Sequence, residues 1–359
     1  MTTSQRKIEH LLFCAEKDVE SHVSAGFENI YLIHKALPEI NKNSIDLSVK
    51  FLNKKLKAPI LISSMTGGHP DTKTVNKNLA IAAEELKIGI GVGSQRAALE
   101  DEKQIDSFKV VRDYAPSTFV YGNLGVVQLR EYGISSVKKA VEMIHADAIA
   151  IHLNFLQESI QREGDVNACG CLDVIKKVCK LDIPVIVKET GAGISYDVAL
   201  QLYDAGVSAI DVGGLGGTSW AGVEAIRNKD FGDSSIENLG KLFWDWGIPT
   251  TISIIECKNA LKDFQPQGNC LEIPIIATGG IRNGLDCAKS IALGADLCGI
   301  ALPLLKPAMQ NSDKVISYIQ TIMEELKVAM FLTGCDTVNK LKSTKKIIAA
   351  SPHLNYYNH

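Results

Sequence analysis

With 359 residues, 46% of them hydrophobic and 22% charged, the chain can bury a large core. Its 38 basic and 41 acidic residues leave a net charge of −3, which excludes a nucleic-acid partner held over a whole basic face. Any recognition of phosphate must be local. No apolar run approaches the roughly 20 residues of a membrane span, and the opening MTTSQRKIEHLL lacks the apolar stretch of a signal peptide. Nine scattered cysteines read as reduced thiols, and the one close pair, Cys169 and Cys171, lacks the second pair or histidines of a zinc site. The expectation is a cytoplasmic protein with neither a nucleic-acid nor a membrane partner.

In chain order, residues 1–57 form an N-terminal extension that opens with a helix-like segment, RKIEHLLFCAEKDVE. Eight short apolar or β-branched segments follow, at 59–63, 88–92, 118–121, 148–151, 184–187, 209–212, 274–277 and 297–300. Their sequels are SMTGG, GSQRAALE, GNLGVVQL, HLNFLQE, KETGAG, GGLGGTSW, TGGIR and ALPLL, each leading into a helical pattern. Alternating strand and helix predicts a parallel sheet, and eight units with polar carboxyl ends predict an α/β fold of the (β/α)8 TIM-barrel type. Residues 1–359 read as one barrel domain. An insertion at 218–273 divides the sixth strand from the seventh. Its polar, glycine-bearing RNKDFGDSSIENLG predicts a mobile active-site loop. The basic, polar tail from Lys340 reads as a solvated end.

The fourth unit is the most informative. A buried strand that ends in His152, Asn154, Gln157 and Glu158 has the anatomy of a barrel active site. Glu158 could be a metal ligand, a general base or a surface carboxylate; magnesium is commonly held by one or two carboxylates together with substrate phosphates. Lys188 ends the fifth strand. A lysine inside a barrel must be paired, titrated down or used, and its neighbour Glu189 points to the opposite face of the strand. The glycines of GGLGG (213–217) and TGGIR (278–282), followed by GIALPLL (299–305), let backbone N–H groups approach a phosphate. Thr218 and Arg282 could be phosphate partners or helix caps. Arg6, Lys7 and His10 form one cationic cluster and Ser94, Gln95 and Arg96 another; together they could clamp a diphosphate. Nucleophile-elbow, zincin and P-loop patterns are absent.

At RKIEHL, GSQRAALE, HLNFLQE, KETGAGIS, DVGGLGGTSW and ATGGIR together, the chain resembles type 2 isopentenyl-diphosphate isomerases, and the resemblance extends to the MFLTGC segment. Phe155 departs from the proline found in many relatives, which alters loop stiffness more than chemistry. The resemblance implies FMN-dependent interconversion of isopentenyl and dimethylallyl diphosphate, with reduced FMN, magnesium and NADPH as the priming reductant. By match, Ser64, Met65, Thr66, Ser94, Asn123, Lys188, Thr218, Gly279, Gly280, Arg282, Ala301 and Leu302 would surround the flavin. Arg6, Lys7, His10, Ser94, Gln95, Arg96, Asn154 and Gln157 would meet the substrate. Lys188, Gln157 and His152 would serve the reaction and Glu158 would take magnesium. A homo-oligomer, tetramer or octamer, is also implied. The rival reading, an FMN oxidoreductase of the 2-hydroxy-acid type, needs a histidine after a late strand, and TGAG and GGLGG supply none.

Overall fold

The computed structural model describes residues 3–230, 232, 234–264 and 273–348. Eight parallel strands close into a barrel: β1 (Ile60–Ile62), β2 (Gly89–Gly91), β3 (Val120–Gly125), β4 (Ala148–Leu153), β5 (Val185–Glu189), β6 (Ala209–Asp211), β7 (Ile275–Ala277) and β8 (Leu297–Ile300), with β8 paired to β1. All eight overlap the segments expected from sequence, with the third shifted to 120–125 from 118–121, and intervening helices cover the outside.

Period-two alternation divides the apolar residues between two cores. Leu61, Tyr121, Ala148, Ala150, Ile186, Ala209, Ile276 and Leu297 fill the barrel. Ile60, Ile62, Ile149, Ile151, Val185, Val187 and Ile210 face the helices. Phe51 and Leu56, from a hairpin of Val49–Phe51 with Lys54–Leu56, plug the amino-terminal end of the barrel interior. Gly91 has no side chain because the Tyr121 ring occupies that space. The same alternation, continued one or two residues further, turns His152, Lys188 and Asp211 inward. Register places them side by side, His152 opposite Lys188 and Lys188 opposite Asp211.

Helix α1 (Thr3–Glu16) belongs to the N-terminal extension, and α2 (Phe155–Ile160) follows β4 directly. The RNKDFGDSSIENLG stretch of the insertion, expected as a mobile loop, is mostly helical in its described residues. The insertion folds as α3 (Trp220–Asp230), α4 (Ser234–Leu242) and α5 (Thr250–Phe264), with Gly232 at φ +73° between the first two. Residues 231, 233 and 265–272 of that insertion lie outside the described ones. The charge of the segment misleads because Glu224, Arg227 and Asn228 on α3 are buried and bonded to one another rather than solvated. The tail reading also needs correction. Val338–Lys342 is helical with Leu341 fully buried, and Lys346–Ile348 pairs antiparallel with Ile30–Leu32. The tail beyond 348 lies outside the described residues. Among the described residues no helix is long and apolar enough to cross a membrane, and all eight cysteines are free thiols.

Candidate active site

One cavity of about 230 Å3 opens at the carboxyl ends of the strands. Every residue singled out from the sequence lines it, except Gln95. That side chain is fully buried in the barrel wall, where its amide donates to the Ala140 carbonyl at 2.8 Å and accepts from the Asn123 N–H at 3.0 Å. It fills the space that a Cβ on Gly122 would take, so this one amide of the motif serves packing while Ser94 and Arg96 on either side line the cavity.

The cavity has two chemically distinct ends. At one, α1 lies over the mouth and brings Arg6 and Lys7 beside Arg96. Burial, then the charges of Arg6 and Arg96, lower the Lys7 ammonium to about 8. Glu100 anchors this cluster, accepting from Arg96 Nε at 2.7 Å, Thr3 Oγ1 at 2.7 Å and Tyr132 OH at 2.8 Å. Helix α1 is tied to α3 by Glu9, which accepts from Arg227 at 3.0 Å, and by His10, whose Nε2 lies 2.9 Å from Glu224. Arg6 and Arg227 share Glu163, at 3.3 and 2.9 Å. His10 also meets the Trp220 ring edge-on at 5.3 Å.

Beneath this cluster α2 presents Asn154, Gln157 and Glu158. The Glu158 carboxylate accepts from Asn154 Nδ2 at 3.0 Å and from the Asp165 N–H at 2.9 Å. Asn154 Oδ1 is buried without a partner. A carboxylate beside a spare amide oxygen suits a hard cation completed by phosphate oxygens. No cluster of three or more His, Cys, Asp or Glu exists among the described residues to hold a metal alone. Gln157 Nε2 donates to Glu224 at 3.0 Å, which fixes the amide. Glu224 has no exposed surface. Burial pushes its carboxyl up, but His10, Gln157 and Arg227 outweigh burial and hold it down at about 2.

The other end is made of strand termini and glycine loops. A Cβ on Gly217 would stand 2.7 Å from the Gly280 nitrogen, and Gly279 and Gly280 sit at φ +101° and +73°, so two loops meet backbone to backbone. Side-chain-free backbone thus lines this part of the cavity, where a phosphate could approach it closely. Arg282 stands beside it, donating to Glu20 at 2.6 Å, and the hydroxyls of Ser63 and Ser64 are buried with no partner. Such spare donors suit a polar ring or phosphate tail. Lys188 is mostly buried and donates to the Glu189 carbonyl at 2.6 Å; as expected, no ion pair joins it to the Glu189 side chain. The Glu189 carboxylate instead gathers the N–H groups of Thr190, Gly191, Ala192 and Gly193, although burial lifts it to about 7.

Between the two ends, Asn123 and His152 form a short chain. Asn123 Nδ2 donates to the Val92 carbonyl at 3.2 Å, so its Oδ1 must accept, and it accepts from His152 Nδ1 at 2.8 Å. Burial, then Lys188 and Lys7, lower the His152 ring to about 3. The ring is therefore neutral, with Nε2 as an acceptor. Sequence reasoning missed Trp220, Glu224 and Glu189. The first two lie four residues apart on one face of α3, and TSW directly after GGLGG was the available signal.

Comparison with known proteins agrees with this anatomy. Residues 158–348 match the family of FMN-dependent dehydrogenases. Isopentenyl-diphosphate delta-isomerase of Methanosarcina mazei is 58% identical over 97% of this chain and 92% of its own. The enzymes of that name from Methanococcoides burtonii and Archaeoglobus fulgidus are 56% and 53% identical over 97% of this chain and over 93% and 97% of theirs. Among solved structures, a mandelate oxidase variant superposes with a TM-score of 0.64 at 17% identity, covering 95% of this chain and 96% of that one, a likeness of fold alone. The chain belongs to the isopentenyl-diphosphate delta-isomerase family and is an enzyme built on the FMN-dependent (β/α)8 barrel.

Proposed function

We propose that the protein interconverts isopentenyl and dimethylallyl diphosphate by a 1,3-proton shift, with reduced FMN and magnesium in this cavity. The observation that carries the reading is the division of one cavity into a cationic end, Arg6, Lys7 and Arg96 with Glu158, and a glycine-cradled end with Lys188. The first suits a diphosphate and its magnesium; the second suits a flavin and its phosphate tail.

Moving a double bond by one carbon adds a proton at one terminus and removes another beside the branch, through a tertiary carbocation that water must not reach. Bound FMN, once primed by a reductant such as NADPH, would supply an electron-rich ring against that cation and N5 as the proton carrier. The chain's own residues bind and orient. Arg6 and Arg96 give charge-assisted hydrogen bonds to phosphate oxygens, with Lys7 between them. Glu158, with the Asn154 oxygen, would hold magnesium against the same phosphates. Gln157 cannot titrate; clamped by Glu224, it orients substrate. Trp220 and α1 close the cavity from water, while Lys188 stabilises negative charge on the reduced ring. His152 stays neutral and adds no charge near the developing cation.

An anaerobic assay with isopentenyl diphosphate, magnesium and FMN, with and without NADPH, tests the proposal. Allylic product formed only with reduced flavin supports it; a yellow protein that bleaches with NADPH yet forms no dimethylallyl diphosphate refutes the substrate assignment.

A further inference from the structure

Asp211 is 1% exposed, lies under the cavity floor, and has no part in the function described above. It is the last residue of β6, in register with Lys188 on β5, which is in register with His152 on β4. The inward alternation through Ala209, Ile186 and Ala150 directs all three side chains into the barrel. Lys188 therefore stands between a neutral imidazole and a carboxylate. Asp211 Oδ1 accepts from the Thr278 hydroxyl and from the Gly213 N–H at 3.3 Å; Oδ2 is buried with no partner. A half-satisfied carboxylate in a barrel interior is expensive unless a nearby cation compensates or a proton comes and goes. Burial pushes its carboxyl up, while Lys188, Thr278 and Gly213 pull it down. The other titratable groups near it are His152, already neutral, Tyr121 from β3, whose phenol burial and Asp211 together keep protonated, and Glu189 beside Lys188, whose carboxylate is turned to the N–H groups of 190–193 on the other face of β5.

We propose that Asp211 is the buried counter-charge of Lys188 and a positioning residue that sets how readily the bound flavin is reduced. The inference rests on the FMN reading above. When a reductant such as dithionite delivers two electrons, one proton goes to N5 and the ring gains one negative charge beside Lys188. The ammonium is then shared between two anions. Asp211 yields by taking one proton from solvent on Oδ2, so two protons accompany two electrons. Without Asp211 the reduced, anionic ring has Lys188 to itself.

The test is an anaerobic spectroelectrochemical titration of the FMN-loaded enzyme and its Asp211→Asn variant from mildly acidic to mildly alkaline pH. The variant is expected to bind oxidised FMN as the parent does but to favour the reduced form by about tenfold, an upward shift of ~30 mV for two electrons. Its proton uptake should fall from two per two electrons to one, with the reduced flavin spectrum anionic in both proteins. Unchanged potential and unchanged proton stoichiometry overturn the inference. Thr278→Val gives a second readout if Asp211→Asn misfolds. Losing a donor to the ionised carboxylate must raise the pH at which the second proton is taken up, and an unmoved break overturns the idea. Failure of the parent protein to bind FMN would instead defeat the underlying reading, and this inference with it.

Discussion

The two ends of the cavity are held in place by different physics. At the glycine-cradled end, His152, Lys188 and Asp211 are aimed by strands whose register is fixed on both sides, and glycine loops meet backbone to backbone. At the cationic end, Arg6, Lys7 and Arg96 are carried by α1 and by a short helical turn. They are aimed by ion pairs among side chains: Glu163 with Arg6 and Arg227, Glu9 with Arg227, Glu100 with Arg96. A barrel can hold a ring by geometry alone, whereas a mobile, multiply charged diphosphate is met by a network of charges that can rearrange with it. Mutations at the first end should therefore damage chemistry, and mutations at the second should damage binding or stability.

The largest effect expected under this contrast belongs to Lys188. Lys188→Ala should lower turnover about 10²–10³-fold, as loss of a single preorganised charge does, while FMN absorbance shows the cofactor still bound; unchanged turnover would remove Lys188 from the chemistry. Next is Glu224, which joins α1, α2 and α3. Glu224→Ala removes the fully buried carboxylate that pairs with Arg227, at 3.2 Å, and should cost about 3–5 kcal/mol in denaturant unfolding. The pH dependence has a definite sign. A folded pKa near 2 lies below the ordinary 4.5, so this contribution is complete above pH 4.5 and disappears as pH falls toward 2.

Lys7 sharpens the contrast further. With its ammonium lowered to about 8, Lys7 is cationic below that pH; if it holds the diphosphate as proposed, KM should climb as pH rises through it. Lys7→Arg, which keeps its charge, should flatten that alkaline limb with kcat nearly unchanged. Lys7→Ala should raise KM about 10–100-fold at neutral pH, the worth of a charged hydrogen bond. Smallest is Glu163→Gln. Its side chain is 40% exposed, so loss of its ion pairs should cost no more than about 1 kcal/mol and change KM by less than about fivefold, measured by steady-state kinetics. A larger change would mean that the charge network, rather than the helix packing beneath it, holds α1 in place.

The same contrast explains what the sequence reveals. Strand ends are legible because apolar alternation stops abruptly where side chains turn to function; His152 and Lys188 announce themselves this way. Arg6 and Lys7 do so less clearly, since an N-terminal basic cluster looks like a solvated face, and charge alone offers only a pairing with the Arg96 cluster more than 80 residues away in the chain, which family resemblance then supports. The 218–273 segment was misread for a physical reason. Polarity marks a loop only when it is solvated, and Glu224, Arg227 and Asn228 spend theirs on one another inside the fold. Gln95 shows the converse: a polar residue in a polar motif can be consumed by the wall, filling the gap over Gly122.

The pairing of Ile30–Leu32 with Lys346–Ile348 has a consequence for how the molecule is made. During synthesis, the segment that connects α1 to the barrel waits for a partner strand that emerges more than 300 residues later. The barrel itself closes only when β8 reaches β1. The nascent chain can thus build half its sheet and still own no closed cavity. Closure arrives late, with the clasp between the strands at 30–32 and 346–348, and a stalled or shortened chain emerges with its sheet open and its first strand unpaired.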